Sequence, residues 1–387
     1  MKSFKTLNNI DPIGIDIFSN AGFKETDSEN PDIYLVRSAD MHQYSFSKNL
    51  LAVGRAGAGV NNIPIDNLSG LGIPVFNAPG ANANAVKELV IASILTSARN
   101  LIEASNYVAN LDSSDPNLKS NIEKGKKQFV GHELPDKTLG VIGLGAIGVQ
   151  VANTALSLGM KVVGFDPSIT VSSAWQLSSD VVKANSLNDL LGKSDYITIH
   201  VPLLESTKGL INTKHVSVIK DNATILNFSR DGIIDDDALT ALLENKLARY
   251  VTDFAQPALM NNAKVLCFPH LGASTYEAER NCALMVCKNI RDFIEKGAIR
   301  NSVNFPDISF EGNPEIRLVI INKNVPNMVG QITSLLASKN INISNFVNVS
   351  KGDIAINLVD LDSKVSDDAI SEILKINGIL SARSIAK

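Results

Sequence analysis

Gly143, Gly145 and Gly148 stand in G-x-G-x-x-G spacing within VIGLGAIG (141–148). An apolar run precedes them and a segment of helical spacing follows, the context in which the motif binds a dinucleotide pyrophosphate. Gly143 allows a tight turn, Gly145 lets backbone approach phosphate, and Gly148 lets helix and strand pack closely. The helix N-terminus then attracts the anion. The next apolar run ends in Asp166. A carboxylate there accepts from both ribose hydroxyls and repels a 2′-phosphate, so NAD is favoured over NADP. A nicotinamide needs a hydride partner, and a hydroxyl donor needs a base. Arg230 in NFSRDGIID (227–235) and His270 in PHLGAST (269–275) both follow apolar runs. The arginine fork suits a substrate carboxylate, and the imidazole suits a proton moving to and from a hydroxyl. The alternatives are a turn arginine on the surface and a structural histidine.

Positioning these residues takes alternating strands and helices. Apolar runs at 33–38, 50–57 and 73–79 precede a long helical pattern at 83–104. After a polar stretch, 111–134, read as a surface crossing, the alternation resumes at 138. It continues through runs at 194–202, 222–229, 248–254 and 263–270, the last closing on His270. This is an α/β pattern with parallel sheets, in which ligands bind beyond the carboxyl ends of strands. The helix after 274 is long enough to return the chain to the first domain, and 302–315 reads as a linker. From 315 the order is β-α-β-β-α-β, a ferredoxin-like plan.

With 387 residues, two or three domains are expected. The net charge of −4 with intermixed signs gives no basic stripe, so a nucleic-acid partner is not expected. Cys267, Cys282 and Cys287 form no CxxC pair, and the acid, histidine and cysteine spacings suggest no metal site. No run approaches 18 apolar residues and the start MKSFKTLNNIDPIG lacks a signal h-region, so a cytoplasmic protein without membrane partners is expected.

The stretches GRAGAGVNNI (54–63), IPVFNAPGANANAVKELV (73–90), ELPDKTLGVIGLGAIG (133–148), HVPLLESTKGLI (200–211), NFSRDGIID and PHLGAST together resemble the D-isomer-specific 2-hydroxyacid dehydrogenases. Within that family the chain is similar to members that oxidise 3-phospho-D-glycerate to 3-phosphooxypyruvate, the first step of L-serine synthesis. The resemblance implies two Rossmann-like domains with the active site in the cleft between them. A discontinuous substrate domain would comprise 1–97 and 280–303, an NAD domain 98–279, a linker 304–314 and a regulatory module 315–387. It assigns catalysis to Arg230 and His270. Substrate binding falls on Arg37, Ser38, the AGAG backbone with Gly57, Ala58 and Gly59, and Asn82, with Arg37 the partner for a phosphate. NAD contacts fall on Gly143, Leu144, Gly145, Ala146, Ile147, Gly148, Asp166, Pro167, His200, Val201, Pro202, Thr207, Asn227, Phe228, Ser229, Gly272 and Ala273. Asp253 matches the aspartate that holds the nicotinamide carboxamide.

The terminal unit looks like an ACT domain, a serine-sensing module, with Asn324 and Asn342 matching its effector asparagines. Asn327 stands where glycine is usual and Asn322 where histidine is often found. A homodimer or homotetramer with L-serine as effector is implied. One departure concerns the family's catalytic glutamate, whose E-P dipeptide is replaced by Gln256-Pro257. Glutamine can accept from an imidazole N–H but cannot stabilise an imidazolium by charge. The competing readings are a glyoxylate or hydroxypyruvate reductase of the same family, and an NAD-sensing protein without turnover.

Overall fold

In a computed structural model, residues 1–310 and 314–386 are described. They form two compact units, Met1–Asn82 with Tyr276–Lys387, and Ala83–Thr275. The residues 311–313 of the expected linker lie outside the described residues.

The first unit opens with β1 (Ser3–Leu7), β2 (Lys24–Glu25), β3 (Ile33–Val36), β4 (Ala52–Arg55) and β5 (Val75–Phe76). All neighbours are parallel, in the order β2-β1-β3-β4-β5. That is the flavodoxin-like variant of a doubly wound sheet. The apolar run IYLV of β3 is buried along its whole length, as a parallel sheet covered on both faces requires. The helix Tyr276–Lys296 buries Ala283, Val286, Cys287 and Ile290 in the same core as Phe4, Leu35 and Ala52.

The second unit holds β6 (Thr138–Ile142), β7 (Lys161–Phe165), β8 (Val182–Lys183), β9 (Tyr196–Ile199), β10 (Ala223–Asn227), β11 (Leu247–Thr252) and β12 (Val265–Cys267). Again every pairing is parallel, in the order β12-β11-β10-β9-β6-β7-β8. The strand order reverses between β6 and β9, the switch point where such sheets open a ligand crevice.

Some local expectations are corrected. The helical pattern at 83–104 is two helices, Ala83–Arg99 and Leu101–Ala109, because Asn100 turns left-handed at φ 49°. Asparagine tolerates that region where most side chains do not. The crossing at 111–134 contains a helix, Leu118–Gly125, pinned by the Tyr107 hydroxyl donating to the Asn121 carbonyl at 3.0 Å. The run 263–270 is a strand only at Val265–Cys267, since Pro269 cannot donate to a ladder and His270 takes a φ of 43°. The strands β1, β2 and β8 are additions to the sequence reading.

The C-terminal segment forms β13 (Ile316–Lys323), helix Met328–Ser338, β14 (Ile343–Lys351), β15 (Ile354–Leu361), helix Asp367–Lys375 and β16 (Ile379–Ala386). Its antiparallel order, β14-β15-β13-β16, is the ferredoxin-like one. Two arginines of this sheet cap the helix Tyr276–Lys296. Arg383 donates to the carbonyls of Ile294 and Phe293 at 3.0 and 2.6 Å, and Arg317 to that of Lys296 at 2.9 Å. Orphan carbonyls and the negative end of the helix dipole thus meet two cations. Arg317 is also clamped by Asp360, its cross-strand neighbour, through two bonds of 2.6 and 3.0 Å in a buried setting. Among the described residues, no helix is long and apolar enough to cross a membrane.

Candidate active site

Because both sheets are parallel, loops leaving their carboxyl ends share one edge of each sheet. In the second unit that edge carries the glycine loop after β6, Asp166 after β7, His200 after β9, Phe228–Gly232 after β10, Asp253 after β11 and His270 after β12. The local sequences explain the turns. Gly143 has φ 90°, and a Cβ on it would lie 2.6 Å from the His200 carbonyl oxygen. The His200 N–H donates to the Ile142 carbonyl at 2.7 Å, so β6 and β9 stay closed up to the switch point. A Cβ on Gly148 would lie 1.9 Å from the Gly143 carbonyl, which only glycine avoids. Gly145 faces open space, and the helix Ala146–Ser157 that starts beside it has no side-chain cap. Uncapped N–H groups beside open space are what a pyrophosphate needs.

Asp166 does more than the sequence reading assigned. One carboxylate oxygen accepts the Leu144 N–H and the other the Ser168 N–H, each at 2.8 Å. The side chain therefore holds the glycine loop, and each oxygen keeps a lone pair for a ribose hydroxyl. Burial pushes the His200 imidazole down to about 3, so it is neutral, and its Nε2 meets the Thr198 hydroxyl at 2.9 Å. The Thr207 hydroxyl donates to the Pro202 carbonyl and accepts from the Leu204 N–H at 2.8 Å, shaping the loop that carries Val201 and Pro202. Ser229 donates to the Ile199 carbonyl at 2.6 Å, and the Asn227 amide to the Arg230 carbonyl at 2.9 Å. Phe228 is buried behind them.

Asp253 is the unusual group. It is 2% exposed, its Oδ2 accepts the Gly272 N–H at 2.9 Å, and its Oδ1 is buried without a hydrogen-bond partner. Burial raises its pKa, and the Gly272 N–H and the charges of His270 and Arg230 oppose the shift. His270 and Arg230 thus each lie within electrostatic reach of Asp253. The His270 backbone N–H is shared between the carbonyls of Asp253 and Phe268, both at 3.1 Å, and its ring packs on Phe254 with centroids 5.1 Å apart. Ala273 follows in the same half-buried turn.

Gln256 does not sit as the sequence suggested. Its amide donates to Asp231, the residue after Arg230. Asp231 escaped the sequence reading because 25 residues separate the pair. The Arg230 guanidinium donates to the Ser229 carbonyl at 2.6 Å.

In the first unit, Arg37 and Ser38 follow β3, Gly57, Ala58 and Gly59 follow β4, and Asn82 lies beyond β5. Arg37 is already engaged, donating to Glu279 at 2.5 Å. Glu279 has no local signal either, being 242 residues away. The Ser38 N–H donates to the Asn8 side chain at 3.0 Å, and the Asn82 Oδ1 is buried without a partner. In the terminal sheet, Asn324 donates to the Gly352 carbonyl at 3.0 Å and Asn342 to Asp362. Asn322 and Asn357 are buried, Asn322 accepting at 2.7 Å from Asn357, which in turn accepts at 2.7 Å from Asn348. Asn327 takes φ 66°, the left-handed conformation that favours glycine. Among the described residues no His, Cys, Asp and Glu cluster could hold a metal.

An open glycine loop at the switch point of a parallel sheet, a strand-end carboxylate and an orphaned buried acceptor fit a nicotinamide dinucleotide. They define a dinucleotide-binding α/β protein. Residues 91–272 match the model of the D-isomer specific 2-hydroxyacid dehydrogenase NAD binding domain. Over 352 residues the chain is 31% identical to a D-3-phosphoglycerate dehydrogenase of Haemophilus influenzae, covering 86% of this chain and 81% of that one. It is 35% identical over 275 residues to a D-3-phosphoglycerate dehydrogenase of Methanocaldococcus jannaschii, covering 68% of this chain. The chain spans about half the length of that relative, 49%. A cofactor (NAD+)-bound 3-phosphoglycerate dehydrogenase of Entamoeba histolytica superposes with a TM-score of 0.61 at 25% identity, over 78% of this chain and 98% of that one. The chain belongs to the D-isomer specific 2-hydroxyacid dehydrogenase family.

Proposed function

We propose that the chain oxidises 3-phospho-D-glycerate to 3-phosphooxypyruvate with NAD. The observation that carries the reading is Asp253, a buried carboxylate with one unpartnered oxygen beside His270 and Arg230. The carboxamide N–H of a nicotinamide is a donor of the kind that oxygen lacks. The names of the relatives in Haemophilus and Entamoeba support the substrate class.

Asp253 orients the nicotinamide, Asp166 takes the ribose, and the N–H groups from Gly145 onward take the pyrophosphate. When bound, a nicotinamide would supply the acceptor for the hydride of the substrate C2. Arg230 holds the substrate carboxylate and polarises C2 with the donors left beside the one on the Ser229 carbonyl. His270 takes the hydroxyl proton during oxidation and returns it during reduction, and Asp253 lends the developing imidazolium a nearby negative charge. Arg37 takes the phosphate by exchanging Glu279 for it, with Ser38, the AGAG backbone and Asn82 around the rest of the substrate.

In this reading, 1–97 with 280–303 serve as substrate domain and 98–279 as NAD domain. The βαββαβ segment, 315–387, is a regulatory ACT domain using Asn324 and Asn342 for L-serine, in a homo-oligomer of the cytoplasm. The Arg37–Glu279 pair favours one other reading, a reductase of glyoxylate or hydroxypyruvate that needs no phosphate site. The test is NADH oxidation with 3-phosphooxypyruvate against hydroxypyruvate, for wild type and Arg37→Ala. The proposal expects the phosphorylated substrate to be preferred and the variant to lose that preference, about tenfold or more in kcat/KM. Equal losses on both substrates would refute the phosphate role of Arg37.

A further inference from the structure

We propose that Asp231 and Gln256 form a clamp that positions the Arg230 turn against the loop leading to His270. The inference rests on the catalytic reading above. A carboxylate only accepts, so the Gln256 amide must present its NH2 to Asp231. Each partner sits on a fixed turn. Asp231 also accepts the Gly232 N–H at 2.8 Å, and the Gly232 carbonyl is tied to the Gly209 N–H at 2.9 Å. The Gln256 carbonyl accepts the Leu259 N–H at 3.0 Å, and Leu259 is buried in the sheet's core. The clamp therefore joins two hydrogen-bonded turns, one carrying Arg230 and the other running between Asp253 and His270.

The titratable groups around the pair are Arg230 in the same turn, the Tyr250 hydroxyl on β11, which burial keeps neutral, and Asp236, Glu244 and Lys264. The last three line, with Gln256, a cavity of about 550 Å³ behind it. Lys264 donates to the Leu243 carbonyl at 2.6 Å. A glutamate at 256 would thus face Asp231 directly, in a rim that already holds two carboxylates.

This reverses the naive expectation for Gln256→Glu. If Gln256 were only a catalytic glutamate that had lost its charge, restoring the acid would raise activity. With the clamp, the new carboxylate repels Asp231 and splays the two turns. The experiment compares wild type, Gln256→Glu, Asp231→Asn and the double variant in 3-phosphooxypyruvate reduction across pH 5.5–9. Gln256→Glu should lower kcat/KM about tenfold at pH 8 and recover as pH falls and one carboxylate takes up a proton. Asp231→Asn/Gln256→Glu, with the donor and acceptor exchanged, should return to within about threefold of wild type with an ordinary pH profile. NADH affinity should change little throughout, since neither residue lies on the glycine loop. Wild-type or higher activity in Gln256→Glu, or a double variant no better than that single one, overturns the clamp. If wild type turns over neither 3-phosphooxypyruvate nor hydroxypyruvate, the catalytic reading fails by itself. The clamp is then read from thermal unfolding of the four proteins, where recovery in the exchange variant supports it and additive losses overturn it.

Discussion

Asp253→Asn should make the ligand-free protein more stable and its cofactor site worse. In the native side chain, Oδ2 accepts the Gly272 N–H at 2.9 Å while Oδ1 is buried without a partner. An unsatisfied buried polar atom costs about 1–3 kcal/mol, more when it carries charge. Asparagine keeps the acceptor for Gly272 and removes the charge; its NH2 then stands unpartnered where Oδ1 was, so the gain is the part of the cost that the charge adds. For a unit of this size each kcal/mol moves Tm by about 2–4 °C, so a rise of roughly 3–6 °C is expected at pH 8. The sign with pH follows from the raised pKa. An acid whose folded value exceeds its unfolded one contributes stability that is present below the unfolded value, near 3.9, and is lost as pH climbs through the folded value. The advantage of Asp253→Asn should therefore be small near pH 4 and full above the folded value. On the proposed role of Asp253 as acceptor for the carboxamide, NADH binding should weaken by about 10–100-fold, because an amide donor replaces that acceptor. Scanning calorimetry of ligand-free protein at pH 4.5 and 8, with titration calorimetry of NADH, measures both. A variant no more stable at pH 8, or one that binds NADH as wild type does, would refute the reasoning.

Two further substitutions separate the glycines. Gly145→Ala adds a methyl to open space, so Tm should stay within about 2 °C while NADH affinity falls at least about tenfold. Gly148→Ala meets the Gly143 carbonyl and should lower Tm or yield insoluble protein; a soluble variant with unchanged Tm would contradict the packing. Asp360→Asn leaves Arg317 buried without its anion, a change worth about 3–5 kcal/mol, so thermal unfolding of the first unit should drop by roughly 10 °C. Calorimetry showing a change of under 2 °C would mean that the pair is dispensable.

The parts of the site legible in the sequence are those that backbone pattern determines. A glycine triplet after an apolar run announces the loop at Gly143–Gly148, and residues at the ends of apolar runs fall on the carboxyl edge of a parallel sheet. Asp166, Arg230 and His270 are located by that rule alone, since strand direction and burial are local properties read at short range. The resemblance added Asp253, whose sequence neighbours say nothing about chemistry. Tertiary structure alone decided which side chains meet. Gln256 faces Asp231 rather than His270, Arg37 is occupied by Glu279, and one oxygen of Asp253 has no partner. It also decided that Arg317 and Arg383 close the end of the helix Tyr276–Lys296, and that Asn100 divides what periodicity joined. Hydrogen bonds between distant loops leave no periodic trace, because each partner is an ordinary polar residue in its own segment. Their meeting depends on how strand ends and turns are placed by the whole core.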